Sequence, residues 1–304
     1  MKRWQKITLI TVLTVLLIAF GALLNVSYGQ GQNIVHNYPD DRSTADETPA
    51  DYGLKYEEVS LVAADGLRLA AWYVPSQNGA VIIIQHGFKS NRGDVLKEAE
   101  VFARHGYGAL LMDLRGHGDS EGDLITFGLL EMQDMEAGYQ YLLTRPEVDP
   151  ERIGIIGNSM GGSVVINYAA QNPQIKAVVG HSAFSSLQDT VETGVRTFAD
   201  LPPFPFAPLI QFFAEREAGI KAADVAAVEV IGSISPRPVF ILHAGGDTVV
   251  GPDAGQKLYD AAGEPKEFWF HPDYGHVPFL EEEPEEFERR VIAFFDQSLL
   301  GVER

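Results

Sequence analysis

The first long pattern along the chain is an uncharged run from Ile7 to Leu24, preceded by Lys2, Arg3 and Lys6. At 1.5 Å per residue it makes about 27 Å of helix, enough to span a bilayer. No polar face interrupts it, which argues against a core helix. A cleaved secretory leader competes with an uncleaved anchor, because Ser27 and Gly29 are small residues ahead of Gln30. Both readings export the remainder of the chain, and the next Lys or Arg after Lys6 is Arg42, so the amino end is expected to stay cytoplasmic. From Gly29 to about Tyr52 the residues are mostly small and polar, which predicts a flexible tether. The expected organisation is an anchor or signal over 1–28, a linker over 29–52 and a folded domain over 53–304.

Beyond the tether the pattern alternates. Val59 to Val62 and Leu67 to Val74 flank an Asp65-Gly66 turn and predict a hairpin. Continuous apolar runs at Ala80 to Gln85 and Gly108 to Asp113 read as buried strands, separated by a helical pattern from Val95 to Arg104. Leu129 to Leu143 (helix), Arg152 to Gly157 (strand), Gly161 to Gln171 (helix) and Lys176 to Gly180 (strand) continue the rhythm. Pro238 to His243 (strand), Pro252 to Ala262 (helix), Glu267 to Phe270 (strand) and Pro284 to Leu299 (helix) complete it. Such alternation predicts a mostly parallel sheet covered on both faces and opened by an antiparallel hairpin. Between Ser185 and about Ile234 nearly 50 residues replace a single crossover helix, so this segment is an insertion.

Composition narrows the chemistry. The chain has 304 residues, 45% of them apolar, and no cysteine, which excludes disulfides, thiolate-metal sites and a cysteine nucleophile. The net charge of −19 falls almost wholly on residues 53–304, and such a surface repels phosphate backbones, so no nucleic-acid partner is expected. No His, Asp or Glu cluster has metal spacing and no dinucleotide or phosphate-cradling glycine motif appears, so neither metal nor cofactor is expected.

One motif stands out. Gly157-Asn-Ser-Met-Gly161 places a serine between a buried-strand run and a helical run. A strand-to-helix turn tight enough to project Ser159 needs nearly side-chain-free neighbours two positions before and after, and Gly157 and Gly161 meet that need. A serine hydroxyl requires a base, and the base an acid to fix its tautomer. Asp247 lies after the strand Pro238 to His243, and His276 after the final strand, in loops at strand carboxyl ends where ligands gather in open α/β sheets. Asp253, Asp273 and His271 are the alternatives. Asp253 more simply complements a helix dipole, Asp273 shares the histidine's loop, and His271 directly follows the strand beside Pro272. The oxyanion of an acyl-transfer intermediate needs two donors; Met160 N–H and Phe88 N–H, from the His86-Gly-Phe88 loop, are the candidates. Asp113, Arg115 and His86 read as loop braces.

His86-Gly-Phe88, Asp113-Leu-Arg-Gly-His-Gly-Asp-Ser120, Gly157-Asn-Ser-Met-Gly161, Gly246-Asp247 and Gly275-His276 together resemble the α/β-hydrolase superfamily, in its order and spacing, over about residues 54–300. Within it the chain is similar to bacterial membrane-anchored hydrolases of lysophospholipase-like, monoacylglycerol-lipase-like or dipeptidyl-peptidase-like type. The resemblance implies an eight-stranded sheet, a Ser159, Asp247, His276 triad and Phe88 and Met160 as oxyanion donors. It implies no particular substrate. Asn158 departs from many relatives, which carry histidine before the nucleophile.

The expected reaction is hydrolysis of a carboxylic ester, small or lipid-like, through an acyl-enzyme. A peptidase of the same fold and a non-catalytic scaffold are the alternatives. In the insertion, Phe204, Phe206 and Phe213 are expected to line an acyl pocket if it forms a lid; the competing reading is a small satellite core.

Overall fold

The computed structural model describes residues 2–302. Eight strands form one sheet: β1 (Glu57–Val62), β2 (Arg68–Val74), β3 (Val81–Gln85), β4 (Gly108–Met112), β5 (Ile153–Asn158), β6 (Ala177–His181), β7 (Val239–Ala244) and β8 (Lys266–His271). Their order across the sheet is β1-β2-β4-β3-β5-β6-β7-β8. Only β2 runs against its neighbours, pairing antiparallel with β1 and β4, while β4, β3 and β5 to β8 are parallel.

The apolar runs follow from burial on two faces. Val81 and Ile83 join one core layer, while Ile82 and Ile84 join the other, so no position in β3 meets water. Helices α2 (Leu96–Arg104) and α10 (Pro284–Phe295) cover the second layer, with Phe102 and Phe295 packed edge to face. Helices α3 (Glu131–Leu142), α4 (Met160–Gln171) and α8 (Ala254–Ala261) cover the first. The insertion after β6 holds α5 (Leu187–Ala199), α6 (Pro203–Ala218) and the single turn α7 (Ala227–Val230); another single turn, α9 (Phe279–Glu282), precedes α10. Val191, Val195, Ala207, Ile210 and Ala214 bury the insertion against the first layer.

The amino-terminal helix α1 (Arg3–Val35) is longer than the apolar run predicts. Residues 2–22 are exposed throughout, whereas Ser27, Gly31 and Val35 are buried. Gly31 is required there: a Cβ would stand 2.9 Å from the Cβ of Phe213 on α6. Nor is the following segment the structureless tether its composition suggests. Asn37 donates through Nδ2 to Gly116 O at 2.8 Å, and Ile125 N donates to Val35 O at 2.8 Å. Arg42 donates to the carbonyls of Asn37, Ser120 and Gly122. Polar side chains here bond fixed backbone carbonyls of the 115–122 loop, so the segment is ordered without a hydrophobic core of its own.

Candidate active site

Four loops at the carboxyl end of the sheet converge on Ser159. The serine sits between β5 and α4 with φ 57° and ψ −121°, a conformation rare for a residue with a side chain. Backbone crowding explains why glycines flank it. A Cβ on Gly157 would stand 2.3 Å from Gly161 O, and one on Gly161 would stand 2.3 Å from His86 O. The Ser159 N–H donates to His181 O at 2.8 Å, which ties the turn to β6.

His276 lies with Nε2 2.7 Å from Ser159 Oγ and Nδ1 2.8 Å from Asp247 Oδ2. Asp247 is buried, and its Oδ1 accepts from Val249 N at 2.9 Å and Val250 N at 3.0 Å. Burial pushes this carboxyl up, but the His276 contact and the two amides outweigh it and hold the group below the usual aspartate value. An ionised Asp247 accepts a hydrogen bond from His276 Nδ1–H and so leaves the Nε2 lone pair facing the serine hydroxyl, an arrangement competent to remove its proton. Asp253 instead pairs with Lys257 at 3.0 Å, and His271 stacks on Tyr274 with ring centroids 3.5 Å apart.

The His86-Gly87-Phe88 loop lies against the serine, a Cβ on Gly87 being 3.3 Å from Ser159 Cβ. His86 is buried, with Nδ1 2.8 Å from Gly87 O while Nε2 accepts from Leu114 N at 3.1 Å. Burial lowers its pKa to about 4, so it is a neutral Nδ1–H tautomer. Because the Gly87–Phe88 peptide is planar and trans, fixing its carbonyl toward His86 turns the Phe88 N–H the other way. Met160 N–H opens helix α4, where no preceding turn offers an acceptor. Asp113 and Arg115 act as braces: Asp113 takes Arg92 at 2.5 Å, and Arg115 is gripped by Asp134 at 2.7 Å.

Two openings meet Ser159. One is a cavity of about 140 Å³ lined by Phe127, Met160, Phe184, Leu187, Val191 and Phe198, with Ile34 and Phe88 at its edge. The other is a cleft of about 240 Å³ bordered by Ser90, Asp94, Asn158 and His276. Phe204, Phe206 and Phe213 do not line the cavity at Ser159, contrary to the expectation for the insertion. Phe204 borders a separate groove between α5 and α6, Phe206 packs on the core from α6, and Phe213 packs on Tyr28 of α1. The helical wall comes from α5, through Leu187, Val191 and Phe198, and no residue of α6 lines the cavity. Sequence reasoning also missed Glu98, a buried carboxyl on α2 that accepts from Asn158 Nδ2 at 2.7 Å beneath the turn and is pushed up by burial. The unusual Asn158 was its one signal.

A family model described as serine aminopeptidase, S33, matches residues 76–216. The uncharacterized protein MT2364 of Mycobacterium tuberculosis is 32% identical over 241 residues, covering 77% of this chain and 75% of its own. The Pyrococcus furiosus esterase Pf2001 superimposes with a TM-score of 0.75 at 29% identity, covering 87% of this chain and 98% of its own. Pyrococcus horikoshii acylaminoacyl peptidase shares the fold at a TM-score of 0.63 and 19% identity, over 81% of this chain and 42% of its own. The chain is a member of the α/β-hydrolase superfamily.

Proposed function

We propose that the protein is a serine hydrolase of carboxylic esters, with Ser159 as nucleophile, His276 as base and Asp247 as the acid that orients it. The carrying observation is the unbroken Oγ, Nε2, Nδ1, Oδ2 relay at 2.7 and 2.8 Å. His276 removes the Ser159 proton as Oγ attacks the acyl carbon, and Asp247 stabilises the imidazolium. The amides of Phe88 and Met160 hold the oxyanion. Collapse expels an alcohol protonated by His276, and a water activated in the same way releases the acid.

Ester over amide is favoured by the apolar lining of the cavity, and likeness to the esterase Pf2001 agrees with it. The peptidase reading rests on the S33 description and on Asp94, a carboxylate bordering the second cleft that could hold a substrate amine. A fluorophosphonate probe should label wild type at Ser159 and leave Ser159→Ala unlabelled. Screening acyl esters beside aminoacyl amides then separates the two readings. Esters should dominate, and preference for aminoacyl amides that disappears in Asp94→Asn would reverse the assignment.

Helix α1 is long and apolar enough to cross a membrane. We read it as an uncleaved anchor with the domain outside the cytoplasm, supported by helix running unbroken through Ser27 and Gly29 into a seam buried on α6.

A further inference from the structure

The geometry points to a second membrane contact: the tip of the insertion, where α5 turns into α6, inserts into the bilayer surface, and the Ser159 cavity opens onto the leaflet there. This rests on the ester-hydrolase and anchor readings above.

Two observations set the depth of the tip. Gly31 of α1 lies against Ile210, Phe213 and Ala214, while His36, just past the end of α1, meets Glu217, further along α6, at 3.1 Å. Both helices advance together, so they run parallel and start on the same side. Pro205 is seven residues before Phe212, the middle of the α6 stretch that faces Gly31, and Leu24 is seven before Gly31, so at equal rise Pro205 comes level with Leu24, the end of the apolar run. Phe204, with φ −93° and ψ 132°, leaves the helical path there and begins the tip. The seam does extend that far, because Leu23 and Leu24 are half-buried while residues 2–22 are exposed. A bilayer around Ile7 to Leu24 therefore meets the tip at its surface.

The tip has the matching chemistry. Phe198 and Phe204 are 71% and 80% exposed, and Leu201, Pro202 and Pro203 lie between them. From Thr197 to Ala214 the one charged residue is Asp200, in the turn. Exposed aromatics in a charge-poor segment beside a hydrophobic span suit the headgroup boundary.

Phe198 also lines the cavity at Ser159, which links tip and reaction centre. A cavity of about 140 Å³ admits a short acyl segment, and is small beside the roughly 300–1,000 Å³ of ordinary ligand pockets. The rest of a longer chain has to lie past Phe198, where the leaflet would hold it. The substrate class that fits is a single-chain ester resident in the membrane.

The test uses the full chain in phosphatidylcholine vesicles. As the protein has no cysteine, Phe204→Cys in a Ser159→Ala background can carry one environment-sensitive fluorophore. Nitroxide placed on lipid acyl chains should quench it, while the same label at Glu285→Cys on α10 should stay unquenched. Equal, weak quenching at both sites overturns the contact whether or not the protein cleaves esters. In the active protein, Phe204→Glu should lower hydrolysis of vesicle-embedded monooleoylglycerol by about tenfold and leave soluble p-nitrophenyl acetate within about twofold. A parallel fall on both esters overturns the leaflet-access claim. Quenching at the tip without cleavage of any ester upholds the contact and overturns the ester-hydrolase reading.

Discussion

The turn at Ser159 and the insertion above it share one rim of the sheet and are held by opposite means. The turn is backbone against backbone, with Gly157, Gly161 and the carbonyl of His86 so close that no Cβ fits between them. The insertion is side chain against side chain, through Val191, Val195, Ile210 and Ala214. Backbone contacts of that kind admit one geometry, whereas apolar packing accepts exchange of shape at modest cost. On the proposed function, the difference would place the reacting atoms in the rigid part and substrate fit in the adjustable part.

The sharpest way to break this division is chemical. Ser159→Ala should lower turnover of an activated ester by about four orders of magnitude or more while leaving circular dichroism unchanged. Substantial residual turnover would mean that another group attacks. Next in size is the packing contrast. Gly161→Ala should destabilise the domain by about 3 kcal/mol or more, since its Cβ would meet His86 O at 2.3 Å. Val195→Ala on α5 should cost about 1–2 kcal/mol, both values from denaturant midpoints.

Mild acid should act through the buried histidines, none of which lies in the insertion. The insertion's Asp189, held low against burial by Lys257, and Glu217, held low by Gln32 and His36, respond only below the usual carboxylate range. Burial lowers His86 to about 4 and His117 and His181 to about 3, from an ordinary 6.5. The unfolded chain thus binds protons that the folded chain refuses, so stability present above pH 6.5 declines as pH falls and levels off only near the folded values. Each such group contributes at most about 1.4 kcal/mol per pH unit across that window. His181, with neither ring nitrogen bonded, is the cleanest to remove: His181→Leu should flatten Tm against pH. An unchanged slope would show that other groups govern acid lability. Smallest is the effect on chain length. Val191→Trp should lower kcat/KM for a hexanoyl ester about tenfold and spare the acetyl ester, whereas Phe213→Ala should alter neither ratio. A chain-length effect at Phe213 would return α6 to the pocket wall.

The same division explains which features were legible in the sequence. The inner strands were legible because β3 to β7 are buried at every position, whereas the edge strand β8 is half exposed. The meeting of Ser159, Asp247 and His276 was legible because each follows a strand, and strand ends of a parallel sheet share one edge. The pocket wall was not. Phe204, Phe206 and Phe213 are as apolar as Leu187, Val191 and Phe198, and only the docking of α5 rather than α6 beside the cavity decides which set lines it. Ile34 could not be read at all, since its place depends on α1 docking more than 120 residues away in sequence from the serine. Order in 36–52 was hidden for another reason: Asn37 and Arg42 are held by carbonyls, and composition registers polarity without showing which backbone will answer it.

The dihedral angles of Ser159 carry one further consequence. A φ of 57° with ψ −121° is easy for glycine and costs any residue with a Cβ about 1–3 kcal/mol. The chain therefore keeps the Ser159 hydroxyl at a position where glycine would relax the backbone. If Ser159 is the nucleophile proposed above, that backbone strain is folding strength given up for reactivity.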